Sequence, residues 1–402
     1  MDTGGLTRQE RAGEAARPAP SRRSWGRWVA PCGLLCAALC LHVLAGGHPE
    51  QVERIYSRRI YPRIGHELAY VNKFVGFSLA ELLAPLILCG LLACAVWQIR
   101  RLRLGRVKAR ALALSTLHAG LWAAGVGGLL FLALWGLNYH RRPLAESLDL
   151  APRPVKGAEL EAISRTIVSE INRNYEEGCA GGADGAPCRL PLDEAQLYEA
   201  LESSYRRLEP LLGGGGGFGP PKPLYFSGLM SRLGISGMFS PFTGEPNFNA
   251  EQPDSGLPFA VAHEMAHQRG YAREDDADFV AFLVCVNAPH PYVRYSGHLR
   301  SVDVLHLLGR VAPRRYQAVA PLLAPGPLAD LDAGNSFWLR REGALTRATH
   351  GVTDAYLKVN RVGSGMGNYR EVVKLIISYY LARAGSPGSP DGRPVQAVPA
   401  NP

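Results

Sequence analysis

Val261-Ala262-His263-Glu264-Met265-Ala266-His267 places two histidines four residues apart, with a carboxylate directly after the first. On a helix, residues i and i+4 project side by side, which suits two imidazole nitrogens on one tetrahedral metal. Glu264 sits one step round, within reach of a water on that metal, where a carboxylate can act as general base. The flanks read as a buried catalytic helix over 257–269. Phe259, Ala260, Ala262 and Ala266 are small or apolar, and no charge occurs from 255 to 262.

A catalytic zinc needs a third protein ligand. Gly270 can release the chain from the helix by taking a conformation barred to other residues. Glu274, Asp275, Asp276 and Asp278 then arrive together. With Glu274 at zero, Asp278 falls at about 40°, Ala281 at about 340° and Cys285 at about 20° round a second helix. One face thus presents two acids and then only small residues, which permit close packing on the motif helix. Asp275 and Asp276 point about 100° and 200° away. The reading is Glu274 as third ligand, Asp278 as acceptor for a ligand imidazole N–H, and Asp275 as the substitute ligand.

These helices need a scaffold, and the rest of the 402 residues divides sharply. Residues 1–110 hold 17 Lys and Arg against 7 Asp and Glu; the remainder holds 27 against 28. A basic N-terminal third joined to a nearly neutral body is not a nucleic-acid binder, which clusters its cations on a folded surface. With 47% hydrophobic residues the chain is too apolar for disorder, and most of its eight Cys lie in apolar runs, so it is no disulfide-rich mini-protein. Three stretches, about 28–47, 77–98 and 114–137, are long and apolar enough to span a bilayer, Glu81 being the one charge in the second. The first ends Ala45-Gly46-Gly47-His48, a passable cleavage site, but two further spans favour an uncleaved anchor. His42 and His118 read as packed or interfacial.

Residues 1–27 carry six Arg, and Arg100, Arg101, Arg103, Arg106, Lys108 and Arg110 follow the second span. Positive loops stay in the cytoplasm. The tail 1–27 is therefore expected inside, the loop 48–75 outside despite its five basic residues, and everything beyond the third span outside. Arg141 and Arg142 argue mildly against this. A soluble body is expected over 143–384. It opens with helices at 160–175 and 192–208, between which Cys179 and Cys188 bracket a Gly/Ala/Asp-rich insert and form either a small disulfide or two free thiols. Gly213–Gly217 is a linker. Short extended pieces at 223–227, 237–241 and 246–249 predict a small sheet before the motif helix. Helices are then expected at 257–269, 275–287, 291–309, 314–323, 336–360 and 368–384, and a disordered tail from 385. The fold class is α+β, mostly helical, behind a three-helix transmembrane region.

His-Glu-x-x-His followed by Glu274-x-x-Ala277-Asp278 resembles the gluzincin pattern of zinc metallopeptidases, and the resemblance implies that Asp278 holds His263. The spacing departs from it, since six residues separate His267 from Glu274. Gly270 is placed as in metzincins, with Arg273 where their third His stands. A closer resemblance covers most of the chain. The three spans, the segment Ser236-Gly237-Met238-Phe239-Ser240-Pro241-Phe242-Thr243-Gly244-Glu245, the block from Ala262 to Asp275 and Tyr356-Leu357-Lys358-Val359-Asn360 resemble a bacterial membrane family, domain of unknown function 3810. That resemblance implies a zincin-like peptidase fold and site without a substrate. Zincins often supply a Tyr, His or Arg to steady the oxyanion, for which Tyr295, His298, Tyr369 and Arg370 are available. Ser240–Asn249 reads either as a structural hairpin or as an edge for an extended peptide.

The expectation is therefore a multi-pass, membrane-anchored peptidase with one Zn2+, partnered by the lipid bilayer and a peptide or protein substrate. The rivals are a zinc-bound sensor without catalysis and a zinc amidase acting on a cell-wall amide.

Overall fold

The structure is a computed structural model that describes residues 23–150, 152–179, 186–213, 218–360 and 369–384. Residues 1–22 of the basic tail, the 180–185 insert, the glycine run at 214–217 and the tail from 385 lie outside the described residues. The chain forms two compact units, one from Met1–Val43 with Ala95–Leu130 and the other from Leu44–Cys94 with Phe131–Pro402. The unit that carries the HExxH motif thus begins well before the composition shift at Pro143.

Helices α1 (Arg23–Gly46), α2 (Tyr61–Asn72), α3 (Leu79–Arg103) and α4 (Ala109–Leu134) occupy the N-terminal third. Of these, α1, α3 and α4 are long and apolar enough to cross a bilayer, which makes the chain compatible with membrane association. Within the first unit, Trp28 of α1 meets His118 of α4 edge to face at 5.1 Å, and the Thr116 hydroxyl donates to Gln98 at 2.9 Å.

The stretch between the first two spans is not a loop. Val52–Ile60 winds as a wide π-helix that runs into α2. Val52, Glu53, Tyr56, Ser57, Tyr61, Gly65, Ala69 and Asn72 are buried along it. The basic residues interleaved with them hide their period in the sequence.

The body of the second unit is mostly helical. Helix α5 (Gly157–Gly178) is followed by α6 (Glu194–Leu212), whose start is capped reciprocally by Asp193 and Gln196. A three-stranded sheet follows, made of β1 (Lys222–Pro223), β2 (Gly237–Ser240) and β3 (Glu245–Phe248). Its order is β1-β3-β2, with β1 parallel and β2 antiparallel to the central β3. Helix α7 (Leu257–Gln268) carries the HExxH motif, and α8 (Glu274–Val286) carries the acids. They are followed by α9 (Pro291–Arg300), α10 (Asp303–Val311), α11 (Pro313–Val319), α12 (Pro325–Leu339), α13 (Ala344–Val359) and α14 (Tyr369–Ala384). Val261, Ala262, Met265 and Ala266 of α7 share one apolar core with Ala277, Ala281 and Cys285 of α8, where small side chains let the two helices approach.

Three expected helices are shorter than their periodicity suggests. The segment 291–309 breaks after Arg300, where the Ser301 hydroxyl donates to the His298 carbonyl and Arg300 turns to pair with Asp303, the first residue of α10. The segment 336–360 breaks at Gly343, whose extended backbone N–H donates to the Thr346 hydroxyl at 3.3 Å. The helix expected over 314–323 ends at Val319.

Cys179, at the end of α5, is disulfide-bonded to Cys188 nine positions on. Closing a loop of about ten residues stabilises a fold by about 2 to 3 kcal/mol, chiefly through the unfolded chain. The double variant Cys179→Ser, Cys188→Ser is expected to lose that amount, read as a lower unfolding midpoint of the purified protein, with wild type insensitive to iodoacetamide at both positions.

Candidate metal centre

Helix α7 ends where its last carbonyls would be left without partners. Side chains satisfy them, two of these reaching in from far along the chain. Trp135 Nε1 donates to the His267 carbonyl at 3.1 Å, the Tyr61 hydroxyl to that of Gln268 at 2.8 Å, and Arg269 Nη1 to that of Met265 at 3.1 Å. The chain turns away at Gly270, whose φ of +84° is a left-handed conformation. A side chain there would also collide with Tyr61, 2.9 Å from the would-be Cβ. The Gly270 carbonyl accepts from Arg141 Nη1 at 2.9 Å.

Arg141 is itself buried, paired through two nitrogens with the buried Glu53 at 2.8 and 2.9 Å. Burial works against ionising Glu53, yet Arg141 and then Arg58 hold its carboxyl below the usual range.

The turn at Gly270 lets α8 lie beside α7, and four side chains converge. Glu274 Oε2 lies 3.2 Å from His263 Nε2 and 3.7 Å from His267 Nε2. The donor atoms of His263, His267 and Glu274 all lie within 4.8 Å of one another. Ligands on a tetrahedral zinc at about 2.1 Å are separated by about 3.4 Å, so this donor set fits such an ion. Each imidazole is oriented from behind. His263 Nδ1 lies 2.8 Å from Asp278 Oδ1, and His267 Nδ1 lies 2.7 Å from the Tyr271 carbonyl, arrangements that leave both Nε2 atoms for a metal. Asp275 is turned away and pairs with Arg273 at 2.7 Å.

Glu264 is buried against β2. A Cβ on Gly237 would stand 2.6 Å from both Glu264 Cγ and Oε1, so only glycine leaves room for this carboxylate. Burial pushes Glu264 up to about 7, with His263 and His267 pulling the other way. Desolvation would also raise Glu274, but His267 and His263 hold it well below the carboxylate range.

Tyr295 and His298 are engaged elsewhere. The Tyr295 hydroxyl donates to Asp330 at 2.6 Å, and His298 Nδ1 lies 3.1 Å from the Tyr380 hydroxyl. Burial, with Arg173, Arg294 and Arg383 near it, pushes His298 down to about 3, and its Nε2 lies 3.7 Å from Glu170. The side chains of Tyr369 and Arg370 lie outside the described residues.

Two tyrosines not singled out by sequence reasoning are nearer the centre. Trp135, bonded to the His267 carbonyl, packs edge to face on Tyr139 at 5.2 Å, and the Tyr139 hydroxyl donates to that of Tyr356 at 3.2 Å. Burial first, and then the Glu274 charge among other neighbours, raises both tyrosines above the ordinary phenol range. The signal for Tyr139 and Arg141 was a run of polar aromatics and cations right behind an apolar span, which reads equally well as a membrane flank.

The Glu53–Arg141 pair generates a stability test. Glu53→Gln leaves a buried guanidinium without its counter-charge and is expected to cost about 3 to 5 kcal/mol in thermal unfolding. Because the Glu53 carboxyl is depressed in the fold, its stabilisation is complete above the free-carboxyl value of 4.5 and fades as the pH falls below it; the variant is expected to lack that acid-dependent loss.

A search of curated proteins finds no match to this chain, and a search of solved structures finds none. The family described as "Protein of unknown function (DUF3810)" matches residues 56–377. That span takes in the sheet, the donor triad, Arg141, Tyr139 and Tyr356. With four-fifths of its length so matched, the chain belongs to the DUF3810 family.

Proposed function

We propose that this protein is a membrane-anchored zinc metallopeptidase with its catalytic body on the extracytoplasmic side. The observation that carries the reading is the convergence of His263, His267 and Glu274 with Glu264 buried beside them. A structural zinc site closes its fourth position with a protein ligand, whereas a catalytic one leaves it open. Among the described residues only these three form a His/Cys/Asp/Glu group of that kind, and Glu264 is the base that a structural site would not need.

His263, His267 and Glu274 would hold the ion, with Asp278 and the Tyr271 carbonyl fixing the two imidazoles. When bound, zinc supplies Lewis acidity, polarising a carbonyl and lowering the pKa of water. Glu264, raised towards neutrality by burial, takes a proton from the attacking water and returns it to the leaving amine. The Tyr139–Tyr356 hydroxyl pair, at whose rings the Glu274 charge is felt, would be the donor to the developing oxyanion. An extended peptide can be held along β2, which is an edge strand of the described sheet, with Gly237 keeping the backbone close to Glu264. The Arg-rich connector after α3 supports a cytoplasmic position for that connector, and the Cys179–Cys188 bridge fits an oxidising compartment for the body.

Purified wild type is expected to contain one zinc and to cleave a peptide library. Glu264→Gln is expected to keep the metal and lose hydrolysis, and Glu274→Ala to lose the metal. Zinc content by mass spectrometry and library cleavage read both; a metal-loaded Glu264→Gln variant indistinguishable from wild type would sink the peptidase reading. Tyr356→Phe is expected to lower kcat by roughly 10²-fold at unchanged zinc content and KM, and unaltered kcat would remove the tyrosine pair from the mechanism.

A further inference from the structure

Glu81 is the one charge of the second apolar run, and the metal site makes no use of it. Its carboxylate accepts the backbone N–H groups of Tyr225 and Phe226 at 2.8 and 2.9 Å. These two residues belong to the loop that follows β1, and their side chains project outward, 89% and 50% exposed. Glu81 is the third residue of α3, so at about 1.5 Å of rise per residue it lies only about 3 Å along the axis from the start of that helix. The loop is thereby fixed level with the first turn of an apolar helix.

The same level carries further exposed aromatics. Phe77 and Phe74, in the connection leading into α3, are 58% and 72% exposed, and Lys73 Nζ lies 3.9 Å from the Tyr70 ring centre and 5.0 Å from that of Phe74. Aromatic rings flanked by a lysine, at the end of an apolar helix, are the composition of a membrane–water interface. Glu81 is suited to that depth because its charge is spent on two N–H groups.

The loop is also rigidly held from its other side. Lys222 of β1 donates to the carbonyls of Asn72 and Phe77 and to Glu245 of β3, and Glu245 in turn accepts the N–H groups of Leu79 and Ala80. The first turn of α3, the aromatic loop and the sheet are therefore one piece.

We propose that the Tyr225–Phe226 loop inserts into the lipid interface beside α3 as a second membrane contact of the catalytic body. The proposal rests on the reading of α3 as a membrane span, and it goes beyond the peptidase reading. The lipid interface is the occupant because the patch is continuous with the start of the apolar helix and ends in a lysine. Helix α7 packs on the sheet that this loop flanks, so the candidate metal site is presented close to the bilayer surface. A polypeptide segment emerging from the membrane is then the class of substrate within reach.

The test uses the full chain in vesicles of phosphatidylcholine and phosphatidylglycerol, carrying the photo-crosslinker benzoylphenylalanine in place of Tyr225 or, in a second variant, Phe226. Irradiation is expected to give an adduct heavier by one phospholipid at either position, and none when the probe replaces Arg165 on α5. Retention in vesicles through an alkaline wash without a lipid adduct at 225 and 226 would overturn the proposal, as would crosslinks at these positions to a second copy of the chain. Release of the chain by the wash would overturn the span reading on which the proposal rests, and zinc content, measured on the same samples, reports separately on the metal site.

Discussion

The carbonyls at the end of α7 are the constraint from which the architecture follows. A helix that carries His263 and His267 in its last turns cannot fray without separating them, yet its final carbonyls have no partners within the helix. Trp135, Tyr61 and Arg269 supply them, and Arg141 holds the Gly270 carbonyl in the turn that follows; two of these four lie just behind the third apolar span while a third lies between the first two. The segments flanking the spans are thus structural parts of the candidate site, and a body cut at Pro143 would lack its clamp. The cost is a guanidinium taken out of water, which is tolerable because Glu53 meets it with two hydrogen bonds.

From that clamp the remaining geometry is short-range. Gly270 turns the chain, Ala277 and Ala281 permit close packing, and Glu274 arrives opposite the two imidazoles with Asp278 behind one of them. Gly237 is the matching feature on the sheet side. It yields the volume that the Glu264 carboxylate occupies, so the strand and the motif helix fit only as a pair.

What was legible in the sequence was what covalent spacing controls. A separation of four residues places His263 and His267 together on any helix, and the helical phase that sets Glu274 and Asp278 on one face matches where the structure puts them. Two of the short strands were marked by their Gly, Pro and Thr-Gly turns; the piece expected over 223–227 holds only Pro223 of β1, since Ser227 already opens a short helix, Ser227–Leu233. Partners far apart in sequence were not legible. Tyr61 reaches Gln268 across 207 positions and Arg141 reaches Gly270 across 129, and nothing local distinguishes these residues from other membrane-flanking tyrosines and arginines. The breaks after Arg300 and at Gly343 escaped for a related reason. The apolar period continues through both, and only a hydroxyl taking up a carbonyl or an N–H ends the helix.

Glu245 has a mechanical consequence. It occupies the central strand, yet its carboxylate grips the first two N–H groups of an apolar helix, while Lys222 of the neighbouring strand grips the carbonyls just before that helix. A change in tilt of that helix, of the kind that a thicker or thinner bilayer imposes, has no slack joint in which to be absorbed. It would act directly on a three-stranded sheet whose edge strand lies against Glu264. Under the proposed membrane reading of that helix, lipid thickness would reach the position of one carboxylate through a few hydrogen bonds.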